Sequence, residues 1–327
     1  MTVNFIIEGP RYTYDMVDVI SFGEPLIEFC ATRPGSFDEV ETFRRGWGGD
    51  TCNFIVCVAR LGGRGGYICK LGSDVFGKSF LDLLRREGVD TTNVLIEKDG
   101  FTGVNFILLR EDGEHEFIYF RKGSAASHFT PSDLKIDYLK SAKVFHTSGI
   151  SMGISETCRQ TVFKAIEVVK DSGRLFTFDI NFRPRLWSPE IARSFIEKAV
   201  NAADIVFASL EDLTLLYGVT NYRTIVEKLS AEKGIFVVKL GSEGCAIYAN
   251  KTWIKVPGFK VKVVDTTGAG DAFDGAFVTG FLEGMDLVKL GRFANAVGAL
   301  TTTGFGAIPP IPRRDFVEEF LREGSIK

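Results

Sequence analysis

The chain has 327 residues, 45% of them hydrophobic and 25% charged, with a formal net charge of −3. That is enough apolar material for a sizeable core in one large or two small domains, and it makes no electrostatic case for a nucleic-acid partner. No apolar run approaches the ~18–20 residues that span a bilayer, so no membrane partner is expected either.

Residues 1–15 lack the basic start, long apolar stretch and small-residue cleavage site of a signal peptide. They are read as a leader outside the fold, with one domain spanning 16–327 and a cytoplasmic location expected. Val17 to Phe22 is the first strand-like run. Gly48-Gly49-Asp50-Thr51-Cys52-Asn53 opens a helix whose apolar face is Phe54, Val58 and Leu61, with Asp50 or Thr51 as its cap. Capping explains Asp50 but not two consecutive glycines before it. Tyr67 to Leu71 then leads into Gly72-Ser73-Asp74-Val75-Phe76-Gly77-Lys78-Ser79, which matches the phosphate-loop pattern G-x-x-x-x-G-K-[ST]. Strand-loop-helix junctions are frequent, and Val75 and Phe76 are bulky for a phosphate cradle, so the match is read as accidental.

Phe101–Leu109 and Glu116–Arg121 are β-like segments joined by a hairpin signal at Arg110–His115. Period-2 alternation puts Phe117, Tyr119 and Arg121 on one face. Beyond residue 140, short apolar runs at Val144–His146, Leu175–Phe178, Ile205–Phe207 and Ile235–Val238 alternate with helical stretches near 155–171, 189–202 and 209–217. This is the pattern of a parallel α/β sheet covered on both faces, which binds ligands beyond the carboxyl ends of its strands. The six cysteines form no C-x-x-C pair and the three histidines are scattered, so buried reduced thiols are expected and a zinc site is not.

The strongest chemical signal is Asp265-Thr266-Thr267-Gly268-Ala269-Gly270-Asp271-Ala272-Phe273, read as following a strand at Val261–Val264 and opening a helix. The small residues let the backbone approach a ligand, and the free N–H groups of the turn and helix start form an anion site. Asp271 falls in the first turn, aimed at the same place. Donors for a developing phosphoryl charge beside a carboxylate that accepts a hydroxyl proton suit phosphoryl transfer.

This nine-residue run resembles the C-terminal signature of the ribokinase-like (PfkB) carbohydrate kinases, and the resemblance extends from about Val17 to Pro312. Gly48–Asn53 resembles the family's N-terminal signature. The resemblance implies an α/β three-layer sandwich with a mostly parallel central sheet and a small β lid, formed by segments near 24–46 and 101–122. It implies ATP and Mg2+ as cofactors, with a monovalent cation as a further candidate, and a homo-oligomer assembled through the lid. Asp271 would be the catalytic base beside Gly268, Ala269 and Gly270. Gly48, Gly49, Asp50, Asn53, Asn105, Tyr119, Arg121, Ile150 and Arg183 would meet a sugar or sugar acid. Ser209, Lys239, Gly241, Ser242, Gly244 and Asn295 would meet the nucleotide. Asp212 would reach the metal through water from a place where the family carries Asn-x-x-Glu, and its alternative is a helix-capping acid.

Several segments, among them Gly23–Phe29, Tyr119–Ala126, Ser148–Ser151 and Phe178–Arg183, resemble 2-keto-3-deoxygluconate kinases, in which Tyr119, Arg121 and Arg183 would hold the acid sugar. The run Ala294–Thr303 with Gly306–Pro309 resembles fructokinases instead. The acid sugar is the first expectation and fructose the alternative; a phosphate-loop NTPase and a non-catalytic sugar-binding protein rank below both.

Overall fold

The computed structural model describes residues 17–110, 115–218, 221–230 and 234–323. The leader expected at 1–15, and the hairpin tip at 111–114, lie outside them. Nine strands form one sheet: β1 (Val19–Phe22), β4 (Gly65–Gly72), β5 (Val94–Glu97), β8 (Val144–Ser148), β9 (Leu175–Asp179), β10 (Ile205–Ser209), β11 (Ile235–Lys239), β12 (Cys245–Ala249) and β13 (Thr252–Val256). Their spatial order is β13-β12-β11-β10-β9-β8-β1-β4-β5. Neighbours pair in parallel except at β11–β12 and β12–β13.

Alternation along the strands divides the apolar side chains between two cores. Ile205, Phe207 and Val237 point into one, with Phe54, Phe80, Phe277 and Val317 from the helices on that face. Val206, Ala208 and Val238 point into the other, with Val162, Ile196, Leu213 and Val226. Runs that are apolar at every position, such as Ile205–Ala208, are what a strand buried on both faces requires. The result is the three-layer α/β arrangement expected.

A second sheet is built from β2 (Leu26–Pro34), β3 (Phe43–Gly48), β6 (Val104–Leu109) and β7 (His115–Phe120), in the order β3-β2-β6-β7. The β6–β7 hairpin pairs as the alternation predicts, with Asn105 opposite Tyr119 and Val104 opposite Phe120. One face carries Glu28, Asn105 and Tyr119; the other carries a cluster in which the Phe106 ring meets Phe29, Phe37, Phe43 and Phe120.

Three expectations need correction. Val261–Val264 is not a strand: Val263 and Val264 are about half exposed, and the backbone is pinned by the Val264 and Asp265 N–H groups donating to the Thr302 carbonyl. The expected strand at Phe101 begins only at Val104. The helix Asp50–Arg60 is capped by neither Asp50 nor Thr51, because Asp50 is its first residue and Gly49, at φ 103°, holds the cap position without a side-chain bond. All six cysteines are free and buried. No helix among the described residues is long and apolar enough to cross a membrane.

Candidate active site

Because β8, β9, β10 and β11 run in parallel, their last residues, Ser148, Asp179, Ser209 and Lys239, emerge on one side of the sheet. The helix Ala269–Leu282 begins above them, with Gly268 at its cap in the left-handed conformation at φ 77°. A Cβ there would press on Ala307. The helix Asp50–Arg60 packs alongside it, with Cys57 Sγ donating to the Ala272 carbonyl, and at their starts Asn53 Nδ2 donates to Asp271 Oδ2 at 2.8 Å across 218 residues of sequence.

Below Asp271 lies a network of charges. Lys239 Nζ donates to Asp179 Oδ2 and Asp274 Oδ2, both at 2.9 Å. Burial works against the ammonium charge, but the two carboxylates outweigh it and hold the lysine protonated. Asp50 accepts from Ser148 Oγ and, at 3.2 Å, from Asn181 Nδ2, and burial raises its pKa. Burial and the nearby Asp50 charge push Asp271 up to about 7, against the opposing pull of Asn53 and Lys239. A carboxylate poised there can both accept and release a proton near neutral pH.

The expected sugar-side residues gather around this network. Gly48 and Gly49 are explained by close approach: a Cβ on Gly48 would strike the Glu28 carboxylate, and one on Gly49 the Glu24 carbonyl. Asn105 is buried with its Oδ1 unpartnered. Tyr119 shares its face, stacks on Phe117 and lies 5.5 Å from the Arg121 guanidinium. Ile150 sits in the short helix Gly149–Gly153 just after β8. Arg121 donates through Nε to Glu24 Oε2 at 2.7 Å, and Ser124 Oγ donates to the other Glu24 oxygen at 2.6 Å. Arg183 Nη1 lies 3.6 Å from Asp212 Oδ1 and donates to the Phe182 carbonyl at 3.0 Å.

Among the residues expected to meet a nucleotide, Gly241 and Ser242 form a tight turn that ends at Gly244, whose φ of 97° only glycine tolerates readily. Lys239 points instead beneath the Gly268–Gly270 turn, 3.4 Å from where a Gly270 side chain would begin. Asn295 Nδ2 donates to the Val256 and Pro257 carbonyls at 3.1 Å, tying β13 to the helix Leu287–Thr301. Ser209 and Asp212 form a capping box: Asp212 Oδ2 accepts from the Ser209 amide and hydroxyl, while its Oδ1 accepts from the Phe182 amide at 2.8 Å.

The Gly72–Ser79 match does not cradle an anion. Asp74 occupies the helix start, accepting from the Gly77 amide at 2.7 Å and from the Thr102 amide at 2.7 Å. Sequence reasoning did not assign Asp179, Asp274, Glu24 or Glu28 to the site. Asp179 was findable as the last residue of a buried strand; Asp274 lies one residue past the signature run. Glu28 has no such signal: burial, with Asp265 and Asp271 nearby, pushes it up to about 8.

Three comparisons bear on this geometry. A family model described as pfkB family carbohydrate kinase matches residues 16–314. Fructokinase-1 of Zea mays is 41% identical over 316 residues, covering 93% of this chain and 98% of its own, and other plant fructokinases align at 37–41%. Among solved structures, a candidate ribokinase II of E. coli in complex with ATP and Mg2+ superposes with a TM-score of 0.87 at 29% identity, covering 94% of this chain and 99% of its own. The 2-dehydro-3-deoxygluconokinase of Thermotoga maritima superposes at 0.85 over 94% of this chain and 99% of its own, but is 22% identical and shares the fold alone.

These findings overturn the first expectation, a 2-keto-3-deoxygluconate kinase. The physical reason lies in the two arginines expected to hold an acid sugar. Arg121 is engaged by buried Glu24 and so is not a free cation for a substrate carboxylate, while Arg183 lies 3.6 Å from Asp212 with its side chain half exposed.

The lysine at the centre supplies a stability test. Lys239→Met leaves Asp179 and Asp274 buried without a counter-charge, and loss of ~3–5 kcal/mol at pH 8 is expected from urea unfolding. The penalty shrinks toward pH 5, because a protonated carboxyl needs no cation. A loss that is equal at both pH values would refute the charge-pairing account.

Proposed function

We propose that this chain, which belongs to the pfkB family of carbohydrate kinases, is an ATP-dependent fructokinase that phosphorylates a primary hydroxyl of fructose. The observation that carries the mechanism is Asp271, held by Asn53 beside the Gly268–Gly270 turn with a pKa of about 7. Fructose bound between Asp50, Asn53 and the Asn105–Tyr119 face presents its hydroxyl to Asp271, which takes the proton as the oxygen attacks the γ-phosphoryl. The N–H groups of the turn and helix start meet the negative charge that builds on the phosphoryl oxygens. Gly241, Ser242 and Gly244 supply backbone room for the nucleotide.

No cluster of three or more carboxylate, histidine or cysteine groups among the described residues could hold a metal by itself. That fits a Mg2+ carried in on the ATP phosphates, with Asp212 reaching it through water. Bound there, the ion neutralises β- and γ-phosphate charge. The small sheet is a lid, whose closure excludes water that would otherwise receive the phosphoryl group. Its outer phenylalanine cluster, with Phe37 and Phe120 more than half exposed, is the face through which two copies associate.

Four measurements test these assignments. Asp271→Asn lowers kcat by at least ~10²-fold while ATP binding is nearly unchanged. In the wild type, kcat/KM falls as pH drops through about 7, where Asp271 gains its proton, and Asn53→Ala moves that midpoint upward because a bond favouring the charged form is lost. A pH-independent kcat/KM between 6 and 8 would remove Asp271 as the base. For the substrate, kcat/KM for fructose exceeds that for 2-keto-3-deoxygluconate by at least about tenfold, since a carboxylate entering beside Asp50 and Asp271 meets like charge. Preference for the acid sugar would sink the fructokinase reading. Phe106→Asp shifts the protein to monomer in sedimentation; a wild type that is already monomeric at micromolar concentration rules out the lid interface.

A further inference from the structure

On the side of the small sheet away from the cleft, β3 faces the helix Val75–Arg86. Alternation along β3 makes this placement. Gly46 and Gly48 turn toward Glu28 and the cleft, so Arg45 and Trp47 turn the other way. The Trp47 indole is fixed by Nε1–H donating to Ser79 Oγ at 3.1 Å. The Arg45 guanidinium lies 3.5 Å from the centre of the indole ring and that of Arg86 lies 6.0 Å from it. With Lys78 and Asp82 these residues line a cavity of about 300 Å3.

Three cations therefore meet one carboxylate, and among the described residues none of Arg45, Lys78 and Arg86 forms an ion pair. Burial and the Arg86 charge lower the Arg45 pKa. Stacking two guanidiniums at one aromatic ring without a counter-ion carries a repulsive cost that an anion would remove. A guanidinium fork fits phosphate oxygens, an ammonium adds a third contact, and the indole offers a flat apolar wall. Lys78 belongs to the Gly72–Ser79 run, but it sits on the outer face of the helix instead of over its first turn.

We propose that the Arg45–Trp47–Lys78–Arg86 cavity is a regulatory site for a small phosphate-bearing anion, either free phosphate or a phosphorylated sugar. Trp47 immediately precedes Gly48 and Gly49, which pack against Glu28 and Glu24 at the cleft. An anion that stiffens this end of β3 therefore alters the sugar side. Binding at the cavity does not depend on the fructokinase reading; only the kinetic consequence does.

The test titrates the full chain, with its nucleotide side saturated by ADP, with inorganic phosphate and with glucose 6-phosphate. Calorimetry measures binding, and tryptophan fluorescence reports locally, with Trp47→Phe as the control. Saturable binding with a Kd below about 10 mM is expected, weakened at least about tenfold in Arg45→Ala/Arg86→Ala, as losing a charge-assisted contact requires. Without anion that variant keeps kcat within about twofold of wild type. Tighter binding of the sugar phosphate makes a phosphorylated metabolite the ligand; equal affinities make it free phosphate. Absence of saturable binding, or binding undiminished in the double variant, overturns the site, and Lys78→Ala, an exposed single change, supplies the same comparison should the double variant fold poorly. A sugar KM that is unchanged at saturating anion overturns the coupling alone, whereas loss of all sugar turnover would fault the proposed activity and leave the binding result standing.

Discussion

The buried ammonium of Lys239 is the contact on which the site depends. It ends β11, pairs with Asp179 at the end of β9 and with Asp274 in the helix Ala269–Leu282, and so ties two strands and a helix at one point. Three carboxylates, Asp179, Asp271 and Asp274, can share so small a volume only because this cation stands among them; removing one partner from such a group costs far more than the group contributes net. Burial and the Asp50 charge push Asp271 toward neutrality, and Asn53 and Lys239 pull the other way. Lys239 thus contributes both to holding the buried acids together and to the proton affinity of Asp271.

Around that point the backbone must come unusually close to itself. Gly48 and Gly49 bring the start of the helix Asp50–Arg60 against Glu28 and Glu24, and Gly268 brings the start of the helix Ala269–Leu282 against Ala307. Each approach aims a helix N-terminus at the strand ends, where its free N–H groups meet anionic charge. Two such N-termini converge, and Asn53 and Asp271, one from each, meet between them. Glu24 performs a parallel task for the small sheet, binding Arg121 and Ser124 so that the end of β7 is fixed to the start of β2.

Much of this was legible in the residue order. Apolar runs separated by helical periods predicted the parallel strands from β8 to β11 to within two residues, because a strand buried on both faces has a local signature. The Asp265–Phe273 run announced a glycine turn that opens a helix with a carboxylate in its first turn, and period 2 put Tyr119 and Arg121 on one face. Val261–Val264 misled for an equally local reason: a run with three valines in four positions carries no sign that its end is tied to the Thr302 carbonyl instead of to a neighbouring strand.

What the sequence determined by itself was the α/β class and the glycine turn that opens a helix with Asp271 in its first turn, since each is a pattern among neighbouring residues. Only the tertiary structure decided which charges are free. Arg121 and Glu24 are 97 positions apart and Asn53 and Asp271 are 218 apart, and no short-range pattern records that they meet. Arg121 and Arg183 read in sequence as cations available to an acid sugar. In the folded chain the Arg121 charge is already answered, because folding places Glu24 beside it in an interior where an unpaired charge would be too costly to keep, whereas Arg183 stays half exposed and faces Asp212 at 3.6 Å.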